Sequence, residues 1–346
     1  MKTRSILAES MMKRNRRPLS IRESYRYIFE SPLDDAPKLS SGPGAMVDFL
    51  NGPGKDKKVR NLLSAGTKDG KEVDEKLNVD PTSKKIGTLV PTQIEIELMK
   101  SISYPLCKLD ACLKMISGGI QKIGKSDNNH IICSGNLIID GHHRWSSLFS
   151  VAGSDGEIAA YDLNFPSSDA ASVLAAAQVA IASTIGTSPV PTSEAGALNI
   201  LGKSEKEIAK MIWSTIGKSS EVGVILSDEY VSSAMASKEF IAHFGISDKA
   251  VKKALDDKKL TQAKKEIVLK VANNLSKMKQ PAAGSPPRTD MPQMDKSGGG
   301  VQGVLGKLEL GSVNFTKPFV KDDVKESNKK RDNVILERWQ HLAGIV

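Results

Sequence analysis

The sequence predicts an α+β protein in which one small mixed domain is followed by an all-helical region, with flexible N-terminal and linker segments. Two short apolar runs, Ile131-Ile132-Cys133 and Leu137-Ile138-Ile139, flank Ser134-Gly135-Asn136, which is the spacing of a β-hairpin closed by a three-residue connection. After Pro166 the chain carries apolar residues at helical spacing over most of the next hundred positions. Elsewhere Gly, Pro and charge dominate: 28 Gly, 16 Pro and only 5% aromatic residues in 346 leave material for a modest core and long flexible ends.

In chain order, residues 1–85 read as a mostly flexible basic region. The first thirty positions hold eight Lys or Arg against three Glu, which is a solvated tail or a nucleic-acid-binding arm. Residues 86–165 read as the compact domain. It opens with a strand at 86–90 ended by Pro91, followed by a helical pattern at 94–102 and then the hairpin. Residues 166–280 read as helical over 169–185, 204–216, 227–244 and 247–278, with a capping-box pattern at Ser204-Glu205-Lys206-Glu207. Residues 281–300, with four Pro and four Gly in twenty, read as a linker, and 301–346 as a tail with a short amphipathic helix at 333–345 suited to docking a protein partner.

A net charge of +9 and a pI near 9.2 favour acidic partners such as nucleotides, nucleic acid or anionic surfaces. Three cysteines make a disulfide framework a poor expectation and a reducing, cytoplasmic setting the simpler one. Neither a signal segment nor eighteen consecutive apolar residues is present, so no membrane partner is expected.

The chemistry concentrates in Asp140-Gly141-His142-His143-Arg144-Trp145. A strand ends there, Gly141 permits a tight turn, and a helix follows with Trp145, Leu148, Phe149 and Ala152 on one stripe, stopped by Gly153. Asp140 is the expected N-cap. The first turn then carries His142, His143 and Arg144, although the positive end of a helix prefers acids. Such a donor cluster suits an anion, because backbone N–H groups, imidazoles and a guanidinium all offer hydrogen bonds to phosphate oxygens. The plainer reading pairs Arg144 with Asp140 and leaves the histidines facing water. With the two histidines pointing different ways on the helix, one of them is expected to meet a ligand.

Strand, hairpin and Asp-Gly-His-His-Arg opening a helix resemble the signature of the ParB/sulfiredoxin fold, above all its ParB-like nuclease branch. Leu89-Val90-Pro91-Thr92-Gln93 resembles the family's opening strand and turn. The resemblance covers 86–164, under a quarter of the chain. Members of this fold include nucleotide-binding partition proteins, sulfiredoxin and kinases of free serine, and each assigns the loop a phosphate. The resemblance therefore implies nucleotide or nucleic-acid binding, with phosphoryl transfer or phosphodiester cleavage as the reaction class. On it, Gly141 and Arg144 bind phosphate. Asp140, His142 and His143 are the catalytic candidates, with Asp140 orienting an imidazole or holding Mg²⁺ brought with a nucleoside triphosphate. His142 stands where sulfiredoxin has its cysteine, which removes that thiol chemistry. Where the partition proteins have Gly-Glu-Arg-Arg this chain has Gly-His-His-Arg, which departs from nucleotide-gated clamping. Gln93 stands where the serine kinases have a Glu that acts as general base; a carboxamide cannot take that proton, so the resemblance leaves Gln93 a polar contact, with Glu95 or Asp140 as the substitute base.

Cys107, Cys112, His130 and Cys133 are four zinc-ligand types at irregular spacings, and buried structural cysteines are the favoured reading over zinc. Residues 240–255 resemble a helix-turn-helix with Gly245 in the turn and Lys249, Lys252 and Lys253 on a DNA-facing helix, although Ala242 sits one residue nearer the glycine than the usual pattern. His243 reads as a packed or surface histidine. The contrasting function class is a non-enzymatic DNA-binding or structural protein using the fold as a scaffold. The ending Arg338-Trp339-Gln340-His341-Leu342-Ala343-Gly344-Ile345, which resembles endings in tailed-phage proteins, belongs to that class.

Overall fold

In the computed structural model the described residues are 80–124, 129–163, 198–288 and 291, with positions 169–171, 173, 174 and 177 between them. Along the chain these form β1 (Asp80–Lys85), β2 (Val90–Pro91), α1 (Leu98–Cys107), α2 (Leu109–Ser117), β3 (Ile120–Gln121), β4 (Ile131–Ser134), β5 (Leu137–Asp140), α3 (His142–Ala152) and β6 (Glu157–Asp162). A helical part follows: α4 (Glu205–Trp213), a small hairpin of β7 (Ser219–Ser220) and β8 (Gly223–Val224), then α5 (Asp228–Ala234), α6 (Lys238–Phe244), α7 (Asp248–Leu255) and α8 (Thr261–Leu275).

The main sheet is mixed, in the order β1-β6-β4-β5-β2, with β3 sharing an edge of β6 with β4. β4 is central, and all four of its residues are buried. It runs parallel to β6 and antiparallel to β5. The hairpin between β4 and β5 is tighter than expected: Ser134 pairs with Leu137, so the turn is Gly135-Asn136, with Gly135 at φ 57°. Asp162 holds it from the neighbouring strand, accepting Gly135 N–H at 3.0 Å while pairing with Lys84 at 2.6 Å. β1 pairs antiparallel with β6 over six residues, so the sheet includes Asp80–Lys85 ahead of residue 86, and 86–88, expected as strand, is a turn. Asp80–Lys85 shows no apolar alternation because this edge strand buries none of its described side chains.

The helical pattern expected from 94 begins only at Leu98, because the preceding backbone is claimed elsewhere. Asn199 Oδ1 accepts Ile96 N–H at 2.9 Å, its Nδ2 donates to Ile94 O at 3.0 Å, and Leu98 N–H donates to Leu198 O. The span 227–244 is two helices, with Ser237 capping the second through Phe240 N–H. The span 247–278 is likewise broken after Leu255, and Lys258 adopts φ 53° in the break. The capping box at Ser204 and Glu207 forms as read.

One apolar core runs from Ile86 to Met278. The described helices from Glu205 onward are therefore packed on the α/β part through shared burial. Much of the join is at the C-terminus of α3, where orphan carbonyls need donors. Asn274 of α8, 5% exposed, donates Nδ2 to Ser150 O and Val151 O, both at 3.0 Å, and His243 Nε2 lies 2.9 Å from Val151 O. His243 is thus a packed histidine. Trp145 is fully buried and donates Nε1–H to Ile86 O at 2.9 Å, tying α3 to the turn after β1. Among the described residues no helix is long and apolar enough to cross a membrane.

Asn274→Ala leaves the α3 carbonyls without these donors in a dry setting and is expected to destabilise the fold by about 2 kcal/mol. Urea denaturation of variant and parent measures it. A change below about 0.5 kcal/mol would mean that the α3–α8 join does not depend on this cap.

Candidate functional site

The N-terminus of α3 meets the loop of residues 92–97. Gly141 is the N-cap at φ 95°, ψ 20°, and no side chain caps the first turn. A Cβ there would lie 2.6 Å from Ile131 Cγ2 and 2.8 Å from Arg144 Nη2, so glycine is required by packing as well as by conformation. Asp140, expected as the cap, pairs instead with Arg144, Oδ2 to Nη2 at 2.9 Å, because the left-handed turn at Gly141 leaves its carboxylate one helical turn from the guanidinium. Asp140 therefore orients an arginine and no imidazole.

Neither histidine faces water as a charged group. His142, 4% exposed, accepts Thr92 N–H on Nε2 at 3.0 Å, and His143 accepts Glu97 N–H on Nε2 at 3.3 Å. Both bonds hold the same loop to the helix. Burial is the main reason that His142 is pushed down to about 3, helped by the charges of Arg144 and Arg288. His143 is lowered well below its ordinary value by burial first and then by Arg288, with smaller effects of His142, Lys100 and Arg144. Acceptance at Nε2 puts the proton of each neutral ring on Nδ1. Among the described residues neither Nδ1–H has an acceptor, and neither do the backbone N–H groups of His142 and His143.

The loop is fastened further by Thr92 Oγ1, which donates to Ile138 O. Gln93 is 4% exposed and donates Nε2 to Glu95 O at 2.7 Å, so its side chain closes the loop on itself. Glu95 is half-buried, and no hydrogen bond joins it to Asp140, His142, His143 or Arg144.

Three residues outside the expected set complete the site. Glu97 Oε2 receives Arg288 Nη1 at 3.2 Å and lies 3.6 Å from Lys100 Nζ. Arg288 comes from the segment read as a linker, whose residues 281–288 pack on β2 and the loop: Ala282 N–H donates to Pro91 O at 3.0 Å, and Ile94 N–H donates to Pro286 O at 3.1 Å. Its signal in the sequence was a lone Arg after Pro286-Pro287, a stiff extended pair suited to docking. Arg144 is lowered by burial even though Asp140 opposes this. Cations, neutral donors and an uncapped helix end thus gather where two carboxylates supply the negative charge.

Lys249, Lys252 and Lys253 lie apart from this site, exposed on α7 opposite buried Ala250 and Ala254. Gly245 makes the left-handed turn between α6 and α7 at φ 63°. Cys112 and Cys133 are buried thiols, which burial pushes up to about 12 and so keeps protonated. No group of three or more His, Cys, Asp or Glu among the described residues is placed to hold a metal ion. The N-terminal arm and the helix expected at 333–345 lie outside the described residues. No protein-family model, curated protein or solved structure matches the chain.

The site makes stability depend on pH. His142 titrates near 6.5 when unfolded and near 3 when folded, so below pH 6.5 the unfolded chain binds more protons. Its contribution is fully present above about pH 6.5 and is lost as pH falls toward 3, at about 1.4 kcal/mol per pH unit. His142→Gln, which keeps an acceptor near the Nε2 position and cannot titrate, is expected to remove that much of the slope in urea titrations between pH 7.5 and 4.5. Equal slopes would mean that His142 is not the neutral acceptor of Thr92 N–H.

Proposed function

We propose that this chain binds a phosphate-bearing ligand, a nucleotide or a nucleic-acid backbone, at the N-terminus of α3. The observation that carries the reading is the pair of imidazoles whose Nε2 atoms are occupied and whose Nδ1–H donors, beside uncapped backbone N–H groups, have no acceptor among the described residues. Donors without acceptors, with Arg144 and Arg288 bearing on the same two rings, match the oxygens of a phosphate. The resemblance of Asp140-Gly141-His142-His143-Arg144 and of residues 89–93 to the ParB-like nuclease branch agrees with a phosphate at this loop.

Binding stands ahead of catalysis in this reading. A neutral imidazole with a committed Nε2 donates hydrogen bonds to a phosphate but is a poor general acid or base near pH 7. Phosphoryl transfer or phosphodiester cleavage would draw its base from Asp140 or Glu95. Asp140 is engaged with Arg144, so the residues at hand fit phosphate oxygens better than a resident cation, and Mg²⁺ would come with the nucleotide.

A second reading, DNA binding with the fold as scaffold, is favoured by α6, Gly245 and α7, which set Lys249, Lys252 and Lys253 outward on one face.

Calorimetric titration with pyrophosphate, ATP, CTP, GTP and ADP, with and without Mg²⁺, tests the first reading. At least one is expected to bind the parent, and Arg144→Lys, which keeps the charge opposite Asp140 but not the fork, is expected to bind it roughly tenfold more weakly. If none binds, the phosphate reading falls. Duplex DNA retained by the parent and lost on Lys252→Glu with Lys253→Glu would then favour the second.

A further inference from the structure

Residues 279–288 form a strap bonded to the loop that His142 and His143 also hold and to the residues just before it. Lys279 Nζ donates to Thr88 O at 2.9 Å, Ala282 N–H to Pro91 O at 3.0 Å, and Arg288 Nη1 to Glu97 Oε2 at 3.2 Å, while Pro286 O accepts Ile94 N–H at 3.1 Å. No side chain within the strap is fully buried, whereas Met278 before it and Met291 after it are 6% and 7% exposed. The segment is therefore pinned at its ends by apolar burial and fastened between them by a few polar contacts. Such a span opens locally at far lower free energy than the fold as a whole.

Loop 92–97 is thus shared. Thr92 and Glu97 give their N–H groups to the imidazoles of α3, and between them Ile94 gives its own to the strap. Arg288 is the strap's charge at the site. It holds Glu97, and after burial it has the largest influence on His143.

We infer that the strap is a clamp coupled to the ligand: a phosphate at the N-terminus of α3 draws on Arg288, so that ligand binding fastens residues 279–288 to the loop and strap docking in turn tightens ligand binding. The inference rests on the phosphate reading above. Reciprocity is required of any such linkage, because one coupling free energy acts on both equilibria. The ligand class best able to use it carries two adjacent phosphates, since Arg144, held by Asp140 on α3, and Arg288, held by Glu97 of the loop, both bear on the two imidazoles.

Hydrogen exchange of the full chain with and without saturating pyrophosphate tests the coupling. The amides of Ala282 and Ile94 are expected to exchange about fivefold more slowly with the ligand, relative to amides of α7. Ala282→Pro removes the donor to Pro91 O and no charge, and it is expected to weaken pyrophosphate binding by about the same factor. Pyrophosphate that binds without slowing these two amides, or an Ala282→Pro protein that binds as the parent does, overturns the clamp and leaves the phosphate site standing. Absence of pyrophosphate binding, measured by calorimetry on the same sample, overturns the clamp, and the site falls with it only if ATP, CTP, GTP and ADP do not bind either.

Discussion

A buried imidazole that accepts a backbone N–H must stay neutral, and much of this protein's architecture around the site follows from that constraint. Protonating His142 or His143 would replace an acceptor by a donor facing Thr92 or Glu97 N–H and would place a charge among Arg144, Arg288 and Lys100. Their neutrality fixes both protons on Nδ1 and fastens loop 92–97 to α3. It also resolves the oddity of basic-looking residues at the positive end of a helix: two of the three carry no charge, and the third, Arg144, is answered by Asp140.

Helix α3 is the element through which the parts of the chain meet. Its N-terminal turn holds the loop, Trp145 reaches back to the turn after β1, and its last carbonyls end on Asn274 and His243 from the helical part. The site is consequently backed by the shared core rather than carried on a free loop. A helix bonded to other segments through the side chains of its first turn and the carbonyls of its last sets their relative position, and small displacements of its first turn are resisted by contacts at both ends.

Local patterns were legible wherever a residue's role is decided by its immediate neighbours in the chain. The β4–β5 hairpin, the apolar stripe of α3, the Ser204 capping box and the turn at Gly245 could be read because alternation, helical spacing and capping chemistry are local. Misreadings occurred where a distant segment claimed the backbone. Residues 94–97 have a helical pattern, but Asn199, Ile200 and Pro286 take their hydrogen bonds. Polar Asp80–Lys85 became an edge strand because β6 needed a partner, and Gly- and Pro-rich residues 281–288 became a packed strap because Pro91 and Ile94 offered an acceptor and a donor.

By itself the sequence determined the hairpin, the glycine-opened helix, and the concentration of hydrogen-bonding side chains in Asp140-Gly141-His142-His143-Arg144, since each is set by residues a few positions apart. Only the tertiary structure decided the protonation of the histidines, the turning of Gln93 onto its own loop, and the membership of Glu97, Lys100 and Arg288 in the site. The physical reason is that a side chain's charge and its free donors depend on burial and on partners brought from far along the chain, and composition and spacing do not specify these.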